Sequence, residues 1–254
     1  MNYGLYMAAS GAQVNMARQD VISNNLANVN TPAFKPDILA IRQRDPARIE
    51  DRLPYMDSNK LLERLGGGVV PVATRLDITP GSIETTGNAL DAAIDGPGFF
   101  TVADGNGGTR LTRDGRFTLG PGGELVASAS GRKVLDDKGL PVTLAPGKAV
   151  TFAPDGGVTQ DGQIVTHLAM VNVSDPSRLI KEGDNLLRAT SASGQPAPIA
   201  GRVKGGAIER SGTDAIRSMI GVTQASKAVE SNLGIIADIK QMMGMAINTL
   251  GKVT

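Results

Sequence analysis

The sequence predicts an α+β fold: discontinuous N- and C-terminal helices forming one coiled-coil-like terminal domain, around a central, mostly antiparallel all-β domain. Three observations carry that expectation. Small and apolar residues recur at steps of three and four near both ends of the 254-residue chain, the period of a helical seam. In the middle the period shortens, and Asp-Gly pairs punctuate it at Asp95–Gly96, Asp104–Gly105, Asp114–Gly115, Asp155–Gly156 and Asp161–Gly162, the chemistry of hairpin turns. Breaker-rich joints lie between the regions, at Gly66-Gly67-Gly68 and at Thr190–Ala200. The organisation expected is residues 1–44 as an N-terminal helix and extended segment, 45–68 as a linker, 69–200 as the β-domain, and 201–254 as a C-terminal helix completing the terminal domain.

The first helix is expected over residues 3–30. Leu5, Ala9, Ala12, Met16, Ile22, Leu26 and Val29 form its seam, with Gln19 filling the gap. Its end is unusual, because Asn24, Asn25, Asn28 and Asn30 crowd into one short run. Asparagine competes with the backbone for hydrogen bonds and is a poor helix former. Two readings stay open: a frayed end made of turn formers, or a polar ladder that sets the register of this helix against others. Pro32 removes a donor and pushes Thr31 toward extended geometry, so the helix ends near Asn30. Residues 34–44 read as extended or mixed. Dense charge with Pro46 and Pro54 predicts a loop from Asp45 to Arg64, with a short helix near 58–65.

From Val69 the pattern turns to strands. Candidates are Val69–Ala73, Ala92–Ile94, Gly98–Ala103, Thr109–Thr112, Phe117–Leu119, Leu125–Ala127, Lys133–Val134, Val150–Phe152, Val158–Thr159 and His167–Val173. Helical spacing returns after Ser211-Gly212-Thr213-Asp214, which supplies capping oxygens and an acid for the positive end of the helix dipole. Val222, Val229, Ile236, Met243 and Leu250 recur every seventh residue, with Met219, Ser226, Leu233, Lys240 and Ile247 as a second ladder beside them. Gly251 suits the residue just past the helix end. Neither seam has an obvious partner in the β-body, and each helix alone is marginal. The helices are expected to pair with each other or with neighbouring copies, as in a polymer subunit whose ends order on assembly.

Composition narrows the function classes. Lys and Arg total 26 against 25 Asp and Glu, a net charge of +1, so no basic excess points to nucleic acid. There is no cysteine, which removes disulfides, thiol catalysis and Cys-ligated zinc. No apolar run is long enough to insert in a membrane. The N-terminus lacks the basic and apolar regions of a secretory signal, which predicts a cytoplasmic chain or export without a cleavable signal.

No residue set reads as catalytic, no cofactor is expected and no metal site is expected. His167 is the single histidine and falls in a candidate strand. Asp104-Gly105-Asn106-Gly107-Gly108 opens like a calcium loop but has Gly115 where the twelfth ligand should be Glu. The Gly66–Gly68 run lacks the Lys and Ser or Thr of a phosphate loop, and no nucleophile-elbow pattern is present. Asp136–Asp137 and the Asp155/Asp161 pair sit beside glycines, as turn formers do. Met242, Met243 and Met245 suit adaptable packing. A carbohydrate-binding β-module is a competing reading, weakened by an aromatic content of only 3%. A cytoplasmic coiled-coil adaptor is another.

Four stretches carry a family resemblance: Ser23–Lys35, Leu90–Phe100, Thr112–Phe117 and Gly206–Ser211. On them the chain resembles the flagellar rod and hook proteins, the axial proteins of the bacterial basal body. Ile78–Ile83 and Ile38–Arg42 look more like the proximal-rod type than the distal-rod type, with a distal-rod or hook-type axial protein of the same family as the alternative. The resemblance implies a non-enzymatic rod subunit, exported unfolded by the flagellar type III apparatus and polymerising in the periplasm with copies of itself and with other rod proteins. It implies no nucleic-acid partner and no membrane insertion. The assembly residues expected on it, together with the seams, are Leu5, Ala12, Met16, Ile22, Asn24, Asn25, Leu26, Asn28, Val29, Pro32, Phe34, Met219, Val222, Val229, Leu233, Ile236, Met243, Ile247 and Leu250. Two departures stand out. Ala33 occupies a position where the family usually has Gly, so the turn after Pro32 must avoid positive φ or accept strain. The family's usual aromatic in the last helix is Val229 here.

Overall fold

The computed structural model describes residues 3–45, 49, 67–105 and 107–250, leaving aside the side chains of 3, 249 and 250. The helix expected near 58–65, most of the 45–68 linker and the expected helix stop at Gly251 lie outside the described residues. The chain forms two compact units. One is drawn from Met1–Leu26, Asp37–Arg75 and Ala215–Thr254, the other from Ala27–Pro36 and Leu76–Asp214.

The first unit holds two long helices and one strand pair. Helix α1 spans Tyr3–Ala27 and helix α2 spans Ala215–Leu250. α1 ends ahead of the expected Asn30 because a turn takes over. Thr31 N–H donates to Asn28 O (3.1 Å), and Thr31 Oγ1 donates to Asn28 Oδ1 (3.2 Å). Strand β1 (Asp37–Gln43) pairs with β2 (Val69–Leu76). The extended character expected for 34–44 thus resolves into a strand whose partner lies beyond the linker. No helix among the described residues is long and apolar enough to cross a membrane.

The second unit is the β-body. In chain order its strands are β3 (Ile83–Thr85), β4 (Ala92–Asp95), β5 (Phe99–Ala103), β6 (Thr109–Thr112), β7 (Phe117–Leu119), β8 (Leu125–Ala127), β9 (Val150–Phe152), β10 (Gly157–Gln160), β11 (Gln163–His167), β12 (Met170–Asn172), β13 (Ile180–Gly183), β14 (Leu186–Arg188), β15 (Ala197–Pro198), β16 (Arg202–Gly205) and β17 (Ala207–Glu209). A six-stranded sheet runs in the order β13-β14-β6-β5-β12-β15, a three-stranded one β11-β10-β9, and β16-β4, β17-β3 and β7-β8 make pairs. Every one of these pairings is antiparallel, as the Asp-Gly spacing predicts.

Alternation along β5 makes two cores. Phe100 points to one face, where its ring meets Phe117 edge-on at 5.4 Å and Phe117 meets Phe152 at 6.1 Å. Phe99 points to the other face, among Leu76, Leu111, Val173, Leu179 and Leu187. Aromatic content is low, and the body concentrates four of the chain's five phenylalanines, Phe99, Phe100, Phe117 and Phe152, in these cores.

The turn chemistry differs in detail from expectation. Of the five Asp-Gly pairs, only Asp161–Gly162 has both residues at positive φ, 51° and 83°, and it closes the β10–β11 hairpin as a type I′ turn. Gly115 is there for space instead, since a Cβ would stand 1.5 Å from Ala92 O. The β13–β14 hairpin turns through Asp184 and Asn185, at φ 48° and 58°, a pair without glycine that the Asp-Gly criterion passes over. The expected strand His167–Val173 divides into β11 and β12. Lys133–Val134 makes only isolated bridges, to Val126 and Val102.

Candidate assembly site

In the first unit the helices run antiparallel. A Cβ on Gly11 would lie 3.0 Å from Asn232 Oδ1, and one on Gly221 would lie 3.1 Å from Ile22 Cδ1. The equal spacing of these pairs in opposite chain directions fixes the register. The covered row on α1 is Leu5, Ala8, Ala12, Asn15, Gln19, Ile22 and Leu26. On α2 it is Ser218, Val222, Ala225, Val229, Asn232, Ile236, Ile239 and Met243. Both rows step by three and four, as the expected seams do, but each contains small or polar residues that those seams leave out. Close approach at Gly11 and Gly221 selects Ala8, Ala12 and Ala225, where larger apolar residues would clash.

Val222, Val229, Ile236 and Met243 of the first ladder of α2 therefore lie against α1, and the expected second ladder does not. Met219, Leu233 and Ile247 are exposed, at 58%, 53% and 71%. On α1, Met16 is likewise turned outward, and Val14 is buried off the seam. The helix pair thus satisfies one apolar row within the chain and leaves another uncovered.

The Asn-rich end of α1 has specific work inside the chain. Asn25 is buried, donates through Nδ2 to Asp37 O (2.8 Å) and accepts from Asp37 N–H at Oδ1 (2.9 Å). Its amide stands in for a strand partner and fixes where β1 begins. Asn25→Ala is expected to lower stability by about 1–2 kcal/mol, since both Asp37 backbone groups lose their partner; urea unfolding checks it. Asn24 is exposed, and Asn28, Val29 and Pro32 are half-buried.

In the second unit, three buried charges meet. Glu209, the last residue of β17, accepts at Oε1 from Lys35 Nζ (2.6 Å) and from Gly81 N–H (2.7 Å). Its Oε2 lies 3.3 Å from Arg113 Nη1. The side chains of Glu209 and Arg113 are 1% exposed and that of Lys35 is 3% exposed. Lys35 also donates to Thr79 O (2.9 Å), and Arg113 donates through Nη2 to Gly96 O (2.7 Å) while stacking on the Phe99 ring at 5.5 Å. Burial pushes the Lys35 ammonium below the ordinary lysine range, with the Glu209 carboxylate opposing that shift. Burial likewise lowers Arg113, again opposed by Glu209. Two cations thus share one anion, and Arg113 Nε is buried without a partner.

The segment joining α1 to β1 is docked against this cluster. Ala33 N–H donates to Glu209 O (2.8 Å), Gly212 N–H to Phe34 O (2.9 Å) and Asn185 Nδ2 to Pro32 O (3.0 Å). Phe34 is buried, with Lys181 Nζ 4.1 Å above its ring. Ala33 adopts φ 58°, so the turn after Pro32 accepts the strain. Its buried methyl and its hydrogen bond to β17 hold it there. Ala33→Gly is expected to leave the thermal midpoint within about 2 °C of the parent, because relief of left-handed strain is offset by the lost methyl burial and the added freedom of the unfolded chain; a calorimetric scan measures it.

The four stretches behind the family resemblance therefore meet in space. Lys35 ends the first, Gly96 belongs to the second, Arg113 to the third and Glu209 to the fourth. Nothing in the sequence spacing marks Lys35, Arg113 and Glu209 as partners.

His167 is half-exposed on β11, 3.7 Å from Asp155. Among the described residues no group of three His, Cys, Asp or Glu side chains is placed to hold a metal. A cleft of about 390 Å³ beside His167 is lined by Thr101, Asp136, Asp155, Met170 and Ile199 among others, with no Phe, Tyr or Trp to stack on a sugar.

Residues 93–166 match the family described as flagellar hook protein FlgE/F/G D1 domain, and residues 5–35 match the flagella basal body rod protein family. The chain is 34% identical over 257 residues to the flagellar basal-body rod protein FlgF of Caulobacter vibrioides, covering all of both chains. It is 31% identical to the rod protein FlgG of Buchnera aphidicola, covering 94% of this chain and 96% of that one. It is 30% identical to FlgF of Rhizobium meliloti, covering 99% of each.

Proposed function

From the premise that the chain belongs to the flagellar basal-body rod proteins, we propose that it polymerises through its terminal helices into the axial shaft of the rod. It is a structural subunit of the bacterial flagellum, associated in the basal body with other rod components. The observation that carries the polymerisation reading is the uncovered apolar row of α2, which includes Met219, Leu233 and Ile247, beside a seam already filled within the chain. Heterologous contacts that do not close generate an open helical tube. The proximal-rod type fits best, supported by the full-length likeness to FlgF proteins. The remaining assembly residues, from Leu5, Ala12, Ile22 and Leu26 on α1 to Val222, Val229, Ile236 and Met243 on α2, act by holding the helix pair in the form that neighbours recognise; the side chain of Leu250 lies outside the described residues. Asn24, Asn25, Asn28, Val29, Pro32 and Phe34 act by shaping the segment that follows α1. Export runs through the flagellar type III apparatus, and the rod forms in the periplasmic space.

The test is complementation of a strain lacking the chain. Deletion of residues 1–30 or of 216–254 abolishes incorporation and motility, while limited proteolysis of either truncated protein still yields a resistant β-body. A truncated chain that still supported swimming would overturn the reading.

A further inference from the structure

The chain passes between its two compact units after residues 26, 36, 75 and 214. On the β-body side, three of these exits are tied to one another. Asp77 N–H donates to Pro36 O (2.9 Å), which joins the exit at 36 to the exit at 75. Gly212 N–H donates to Phe34 O (2.9 Å), which joins the exit at 36 to the exit at 214. Beneath them, the Glu209 carboxylate collects Lys35 from the first segment, Gly81 N–H from the segment after β2, and Arg113 from the body. Arg113 is itself fixed by Gly96 O and the Phe99 ring. An ionised carboxylate is all acceptor and can serve several donors at once, so one buried side chain cross-links segments that are far apart in sequence.

We propose that Glu209 is a positioning residue: its carboxylate holds the chain segments at three exits, those of Lys35, Gly81 and Gly212, at one point of the β-body. Without that node the exits would hang on short segments containing Gly81 and Gly212, which have little torsional preference of their own.

Two readouts in the full-length chain test the proposal. The first is amide hydrogen exchange at Ala33, Asp77 and Gly212, whose N–H groups make the bonds between segments. The second is the spin-label distance distribution between Thr118→Cys and Pro80→Cys, both exposed positions of the β-body unit; the chain has no cysteine of its own to interfere. Glu209→Gln is compared with the triple variant Lys35→Met, Arg113→Met and Glu209→Leu, which replaces the ionic node with apolar packing and protects against simple unfolding. Each variant that keeps core protection at Phe100 and Val102 is expected to lose protection at the three amides and to broaden the distance distribution by about twofold. A folded triple variant with the parent's narrow distribution would overturn the proposal, whatever Glu209→Gln does. Neither readout needs rod assembly, so failure here is separable from failure of the assembly reading.

Discussion

Glu209→Gln is expected to destabilise the β-body by about 3–5 kcal/mol, the range found when one member of a buried ionic set is removed. The neutral amide can still accept from Gly81 N–H, but Lys35 and Arg113 then remain buried with no anion between them. Nor can either reach water, because both side chains are almost wholly covered. Lys35→Met is expected to cost less, since Glu209 keeps Arg113 and Gly81 as partners. The combined Lys35→Met, Arg113→Met, Glu209→Leu variant should regain most of the loss, because well-packed apolar groups often replace buried charges without penalty. Urea unfolding followed through a probe in the body gives the three values. A Glu209→Gln loss below about 1 kcal/mol would mean that water already reaches the cluster.

The second large effect separates the two rows of α2. Leu233→Glu combined with Met219→Glu places charge on residues that are more than half exposed, so the stability of the isolated chain should change by no more than about 0.5 kcal/mol per site. Assembly should nevertheless fail, and with it motility, because two charges would be buried unpaired against a neighbouring copy. Ala225→Glu is the contrast. Ala225 is 2% exposed at the crossing of the two helices, so a large charged side chain there should part α1 from α2 and cost about 2–4 kcal/mol in the chain itself. Circular dichroism and thermal scans read the chain, and swimming in a complemented strain reads the assembly. Normal motility of the double variant would place the intersubunit contact elsewhere.

Local chemistry made much of the chain legible. Steps of three and four place α1 and α2, and the capping run at Ser211–Asp214 leads directly into α2 at Ala215. Short apolar runs between Asp-Gly turns locate β4 to β10 closely, because hairpin contacts join near neighbours in sequence. The β13–β14 hairpin was hidden, since Asp184 and Asn185 form a turn of the same shape without glycine. The pairing of β1 with β2 was hidden too, because each strand looks acceptable alone and only a long connection brings them together. Which α2 ladder faces α1 could not be read from apolarity. The decision belongs to close approach at Gly11 and Gly221, which favours Ser218, Ala225 and Asn232 over the larger Met219 and Leu233.

The sequence by itself determined the division into terminal helices and β-body, the hairpin succession, the absence of thiol chemistry and, through four motifs, the rod-protein resemblance. These rest on periodicity and residue type, which act over a few positions. Only the tertiary structure decided what the motifs do together. Lys35 and Glu209 lie 174 residues apart, and no local rule pairs them. Burial strips their water, and each then requires the other, so the partnership exists only where the fold has closed around both.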